Sequence, residues 1–136
     1  MKAVTIPSVL ENKGHYVPGM ISGSTLYISG QLPVHHDTGA PISGDIAQQT
    51  LDALHNVDLV LRSAGLTREN VVLCRVYIPD VAQWDTVNEA YASFFGAHRP
   101  ARVVVPCRPL HHGALVEIEA VAELTDNRDC PGAREG

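Results

Sequence analysis

The sequence predicts an α+β domain in which two helices pack on one face of a mixed β-sheet. Two segments have apolar residues at helical spacing, strand-like segments surround them, and the connections are too short to hold a second core. The 136 residues, 45% of them hydrophobic, need neither a disulfide nor a structural metal to form a core. We expect one domain over residues 1–124 and a flexible tail over 125–136, which is rich in turn-forming residues.

The N-terminal half predicts short strands followed by a long helix. Residues 2–6, 20–22 and 25–29 have strand-like patterns, and Gly23 with Ser24 separates the last two as a hairpin turn. Asp45 and Gln48 form a capping box, after which apolar residues recur at helical spacing until Gly65 ends the helix.

A β-branched strand over residues 71–78 precedes the second helix, which Asp80 and Gln83 open as another capping box and Gly96 ends. An amide, Asn88, interrupts the apolar stripe of this helix. The stripe consists of Val81, Trp84, Tyr91 and Phe95. Because an unpaired buried amide costs about 1–3 kcal/mol, Asn88 either caps a neighbouring loop backbone or contacts a ligand.

Two more strands, over residues 101–107 and 114–124, complete the sheet. Val103 and Val105 lie on the face that the helices leave uncovered, which indicates an oligomer. Arg102 begins the first of these strands among apolar residues, so it needs a carboxylate partner, either in this protein or on a small acidic ligand.

Three glutamates, Glu117, Glu119 and Glu123, share one face of the last strand. A solvated face is the simplest interpretation for Glu119 and Glu123. For Glu117 we also consider a pairing with Arg102, because an antiparallel partner strand could bring the two together.

Charge and composition exclude several classes of partner. Ten Lys and Arg against 15 Asp and Glu give a net charge of −5, and no basic run is present, so we expect no nucleic-acid partner. We also expect no secretory signal and no membrane span, since no stretch is long and apolar enough. The cysteines, Cys74, Cys107 and Cys130, are odd in number and without CxxC spacing, which is typical of a reducing cytoplasmic setting.

The two histidine pairs, His35–His36 and His111–His112, do not predict a metal site. Adjacent side chains of an extended chain point apart, and neither pair has the HxH or HxxxH spacing that places two rings on one side. We interpret them as solvated loop histidines. Cys107 lies near His111 in sequence, but its apolar strand setting favours a packed thiol over a nucleophile.

The stretch RPARVVVPCRPLHHGALVEIEAVA, residues 99–122, resembles the closing motif of the RidA family, also called YjgF/YER057c/UK114. Supporting segments are GHYVPG at 14–19, LYISGQLPV at 26–34 and VNEAYASFFGAHRPAR at 87–102. The resemblance implies a YjgF-like, chorismate-mutase-like subunit that assembles into a barrel-like homotrimer with clefts between subunits. It also implies hydrolysis of reactive 2-imino or 2-enamino acids to 2-keto acids and ammonia, with no cofactor or metal.

The same resemblance assigns roles to individual residues. Arg102 matches the arginine that binds the substrate carboxylate, and Glu117 matches the acid that orients or activates the hydrolytic water. Further pocket positions are Tyr16, Gly30 and Asn88. The chain departs from many imine-hydrolysing members at Val104, where they carry a Cys and where only the backbone can still act, and at the loop His111–His112, which reshapes the pocket mouth or adds a titrating group.

These features leave three interpretations of function. The chain is an imine deaminase, either of the 2-iminobutanoate/2-iminopropanoate type or specialised for a pathway imine or enamine. Alternatively, it is a non-catalytic trimer that binds small carboxylate metabolites through the same arginine. A nuclease is the least favoured, because the chain is acidic and lacks a basic stripe.

Overall fold

The structure is a computed structural model that describes residues 1–7, 9 and 14–124. Six strands form one sheet in the order β1-β2-β3-β6-β4-β5, and two helices pack against it. The elements are β1 Lys2–Val4, β2 Gly19–Ser22, β3 Thr25–Gln31, α1 Ile46–Ser63, β4 Val71–Ile78, α2 Trp84–Phe95, β5 Ala101–Pro106 and β6 Glu117–Glu123. The predicted fold class is confirmed. The predicted tail over 125–136, with Cys130, lies outside the described residues.

The sheet is mixed because one connection is a helical crossover. Strand β5 runs parallel to β4, and α2 connects the two, whereas all other neighbouring strands are antiparallel. Strand β6 inserts between β3 and β4, so β5 is left as an edge strand. This order determines which candidate site residues can meet.

The core lies between the helices and one face of the sheet. Along β6, Ile118, Ala120 and Ala122 are buried while the residues between them are half-buried, which is the predicted alternation. Helix α1 contributes fully buried Leu54, Val57, Val60 and Leu61. On the opposite face Tyr27 and Val103 remain 52% and 46% exposed, so this face presents apolar surface to its surroundings.

Several predicted boundaries need correction. The last strand begins at Glu117 rather than at residue 114, because the Leu115 amide donates to Gln49 Oε1 of α1 (2.9 Å) instead of entering the ladder. Asp80 caps a short 3₁₀ turn by accepting from the Ala82 amide, and α2 starts only at Trp84. No helix of the described part is long and apolar enough to cross a bilayer.

The apolar stripe of the second helix is only half buried. Tyr91 and Phe95 belong to the core, but Val81 is 58% and Trp84 39% exposed, because Val81 lies in the turn before the helix and Trp84 in its first position. Gly65 and Gly96 follow the two helices with positive φ angles of 77° and 62°, which confirms both predicted helix ends.

Asp45 caps α1, and its removal is expected to destabilise the fold. Its carboxylate accepts from the Gln48 amide at 2.9 Å, while the Gln48 side chain donates to Asp52 rather than completing the predicted capping box. We expect Asp45→Ala to lower the free energy of unfolding by about 1 kcal/mol in urea titrations. Asp45→Asn, which keeps an acceptor oxygen, is the matched control and should stay near wild type. Equal stabilities of all three proteins would contradict the role of this cap.

Candidate active site

The site residues predicted from the sequence form two clusters on opposite faces of the sheet. Arg102, Asn88 and Val104 lie on the helix-covered face, at the β5 edge. Tyr16, Gly30 and Glu117 line one cavity of about 910 Å³ at the end of the sheet where β3 ends and β6 begins. Each cluster therefore holds part of the predicted site.

In the first cluster, the Arg102 guanidinium is held by neutral groups. Its Nη1 donates to Asn88 Oδ1 at 3.0 Å, and its Cζ lies 4.7 Å from the ring centroid of Tyr91 and 5.3 Å from that of Trp84. No carboxylate among the described residues forms an ion pair with Arg102. Since guanidinium has five N–H donors, this geometry leaves donors for the carboxylate of a ligand.

Asn88 interrupts its stripe because it supports Arg102. The sequence suggested a cap for a loop backbone or a ligand contact, and the structure pairs the amide oxygen with the Arg102 side chain of β5 rather than with a loop backbone. Val104, two residues after Arg102, is half-buried and packs on the core. Because β5 is the edge strand, its backbone groups that point away from β4 are available to a ligand or another subunit.

In the second cluster, Glu117 lies against the backbone of Gly30. A Cβ at Gly30 would stand 3.1 Å from Glu117 Cδ and Oε2, so the glycine gives the carboxyl room to approach. Gly30 lies where the β3–β6 register shifts, an irregularity of the kind that is common beside active sites. Burial raises the pKa of Glu117, the charge of Glu119 raises it further, and His111 lowers it.

A hydrogen-bond and ion-pair network that the sequence did not predict lies on the same face. Glu119, predicted to be solvated, accepts a hydrogen bond from the Tyr77 hydroxyl, and its Oε2 lies 3.7 Å from Arg75 Nη1. The hydrogen bond to Glu119 raises the pKa of Tyr77, and burial raises it further. Tyr77 and Arg75 are the β4 register partners of Glu117 and Glu119, so a correct strand pairing would have revealed the contact.

Three of the four paired histidines line the Glu117 cavity. His111 and His112 are exposed, as predicted, and both line this cavity, and His112 has a left-handed φ of 59°. His36 lines the same cavity, and its pKa is lowered mainly by burial. His35 Nε2 lies 3.9 Å from Asp52 Oδ2. Among the described residues, no three His, Cys, Asp or Glu side chains are grouped to hold a metal ion.

The two clusters do not meet within one chain. Strand β5 never pairs with β6, so the idea that antiparallel pairing brings Arg102 to Glu117 is wrong. Arg102 is in register with Cys74 and Glu117 with Tyr77, three positions apart along β4. Strand spacing and rise then separate their Cα atoms by about 14 Å, with side chains on opposite faces. A small ligand cannot contact both residues of the same chain.

Known proteins resemble this chain over most of its length. The family model described as Endoribonuclease L-PSP matches residues 7–124. Human 2-iminobutanoate/2-iminopropanoate deaminase is 37% identical over 109 residues, which are 80% of each chain. The crystal structure of the YjgF gene product from E. coli has a TM-score of 0.86 at 33% identity, covering 92% of this chain and 100% of that one. The structure of E. coli TdcF with bound serine has a TM-score of 0.85 at the same identity and coverage.

Proposed function

The chain belongs to the RidA family, also called the YjgF family, and we propose that it hydrolyses reactive 2-imino and 2-enamino acids to 2-keto acids and ammonia. The observation that carries the proposal is that one chain holds both an arginine with N–H donors left for a ligand and, in the other cluster, a sheltered carboxyl of raised pKa. The name of the human relative supports this reaction type, and the serine bound to TdcF has the α-carboxylate that Arg102 would recognise.

The proposed site lies between subunits of a homotrimer. Arg102 and Asn88 of one subunit would face Tyr16, Gly30 and Glu117 of the next, which removes the separation of about 14 Å within one chain. The exposed Tyr27 and Val103 of the uncovered sheet face support such an assembly, because they form apolar surface that a barrel of three subunits would bury.

In this site the residues divide the reaction between binding and proton transfer. Two N–H groups of Arg102 hold the α-carboxylate, which sets the imine carbon beside Glu117. Glu117 takes a proton from water as the oxygen bonds to the carbon of the protonated imine and the C=N π electrons move to nitrogen, forming a tetrahedral amino alcohol. Glu117 then returns this proton to the nitrogen. The C–N bond breaks as the hydroxyl oxygen forms the carbonyl of the 2-keto acid, and the departing ammonia takes up the hydroxyl proton and leaves as ammonium.

The description of the family model raises RNA cleavage as a second candidate. A net charge of −5 works against it, because binding to RNA depends on neutralising phosphates with Lys and Arg. RNA binding with a steep salt dependence would favour that candidate.

A coupled assay tests the proposed reaction. A threonine dehydratase generates the 2-imino acid while a competing amine traps it, and the release of 2-ketobutanoate is followed with and without this protein. We expect the protein to accelerate release above the buffer rate and to reduce trapping. No acceleration, together with calorimetric binding of 2-ketobutanoate, would overturn the proposal in favour of a carboxylate-binding protein.

A further inference from the structure

Glu117 has a second carboxylate as its neighbour on the same face. Glu117 and Glu119 are two positions apart on β6, so their Cβ atoms are about 7 Å apart, and both line the cavity. They are the two carboxylates among its described lining residues. Burial disfavours the ionised form of Glu117, and a negative charge on Glu119 at this distance disfavours it further.

Glu119 is fixed in this position by strand β4. One of its carboxylate oxygens accepts from the Tyr77 hydroxyl and the other lies 3.7 Å from Arg75. Tyr77, which also lines the cavity, is in register with Glu117 but bonds to Glu119, so its side chain reaches diagonally across the sheet to Glu119. Tyr77 and Arg75 thus hold the Glu119 carboxylate beside Glu117 rather than letting it turn into solvent.

Other titratable groups surround Glu117 and act with both signs. They are Glu119 on β6, Tyr77 and Arg75 on β4, Cys107, His111 and His112 before β6, His36 after β3, and Tyr16 before β2. In the proposed trimer, Arg102 of the adjacent subunit adds a positive charge. Of the groups within the chain, Glu119 raises the pKa of Glu117 and His111 lowers it.

We propose that Glu119, held by Tyr77 and Arg75, is a positioning residue that keeps Glu117 ready both to accept a proton from water and to return it to the leaving nitrogen. This inference rests on the proposed function, because the proton transfer it serves is that of imine hydrolysis. A base that is too acidic would accept the proton of water poorly, and efficiency is highest when its proton affinity matches the operating pH.

The test titrates Glu117 directly, by NMR of the δ carbon in protein with ¹³C-labelled glutamate and without substrate. Glu117→Gln assigns the resonance. We expect Glu119→Gln, whose amide oxygen still accepts from Tyr77, to shift the Glu117 titration to lower pH. His111→Asn should shift it the opposite way, because it removes a positive charge. Glu123→Gln, on the same strand and face but bonded to Ser24, is the control and should leave the curve unchanged.

The same variants are then assayed for hydrolysis across pH. Glu119→Gln should move the acid limb of kcat/KM in the direction of the titration and lower the plateau of kcat about threefold to tenfold. An unmoved Glu117 titration in Glu119→Gln would overturn the inference even if the protein is active. If Glu119→Gln shifts the Glu117 titration but the wild-type protein hydrolyses no imine, the result would instead overturn the proposed function, and with it the role assigned to Glu119.

Discussion

Arg102→Ala is expected to lower kcat/KM for a 2-imino acid by about 100-fold or more. Two charge-assisted hydrogen bonds to the substrate carboxylate are worth about 3 kcal/mol together, which corresponds to that factor. In the structure the guanidinium is oriented by Asn88 and lies beside the rings of Trp84 and Tyr91, so its N–H donors are oriented before the substrate binds. The coupled dehydratase assay measures the loss.

Arg102→Lys separates charge from geometry. Lysine keeps the positive charge but cannot form two parallel bonds to a carboxylate, so we expect it to recover only a small part of the lost kcat/KM. Urea unfolding of both variants measures how much stability is lost with the ring contacts that Arg102 also makes, so that this loss is not mistaken for a loss of substrate binding. Wild-type kcat/KM in a folded Arg102→Ala protein would exclude Arg102 as the carboxylate ligand.

Glu117→Gln is expected to lower kcat by about 100-fold to 10,000-fold, the usual range for removal of a general base. Glutamine has nearly the same size and keeps the contact with Gly30, and Arg102 is untouched, so calorimetric affinity for 2-ketobutanoate should stay close to wild type. Loss of affinity in parallel with kcat would mean that Glu117 binds the ligand instead of transferring protons.

The pKa of Glu117 determines how activity changes with pH and how Glu117→Gln changes stability. Burial and Glu119 raise this pKa, so activity that needs the carboxylate should fall as the pH drops through a value above the ordinary glutamate range. A raised pKa in the folded state also means that ionised Glu117 opposes folding at neutral pH. Glu117→Gln should therefore lose turnover without losing stability, as measured by urea unfolding at pH 7.

Local features of the fold could be predicted from the sequence because they depend on neighbouring residues along the chain. Helix α1 follows from its apolar spacing and the Asp45 cap, and the helix ends follow from Gly65 and Gly96. The alternation along β6 likewise follows from its residues alone. These patterns sufficed for the fold class.

The order of the strands in the sheet could not be predicted, because strand pairing joins residues far apart in sequence. Two errors in the site have this origin. Arg102 and Glu117 were considered as cross-strand partners, although β4 separates their strands. Glu119 was interpreted as solvated because the residues that bind it, Tyr77 and Arg75, lie on β4. Only the resemblance to the RidA family implied a cleft between subunits, which in the proposed trimer would bring the two clusters together.

The most direct test of a site shared between subunits is to mix two inactive variants. Arg102→Ala and Glu117→Gln are unfolded and refolded together, with subunit exchange verified by native mass spectrometry, and each is refolded alone as a control. In a closed ring, one cleft in four then combines an intact Arg102 with an intact Glu117, so the mixture should recover about a quarter of wild-type activity. Activity no higher than that of the separate variants, despite complete exchange, would contradict the shared site.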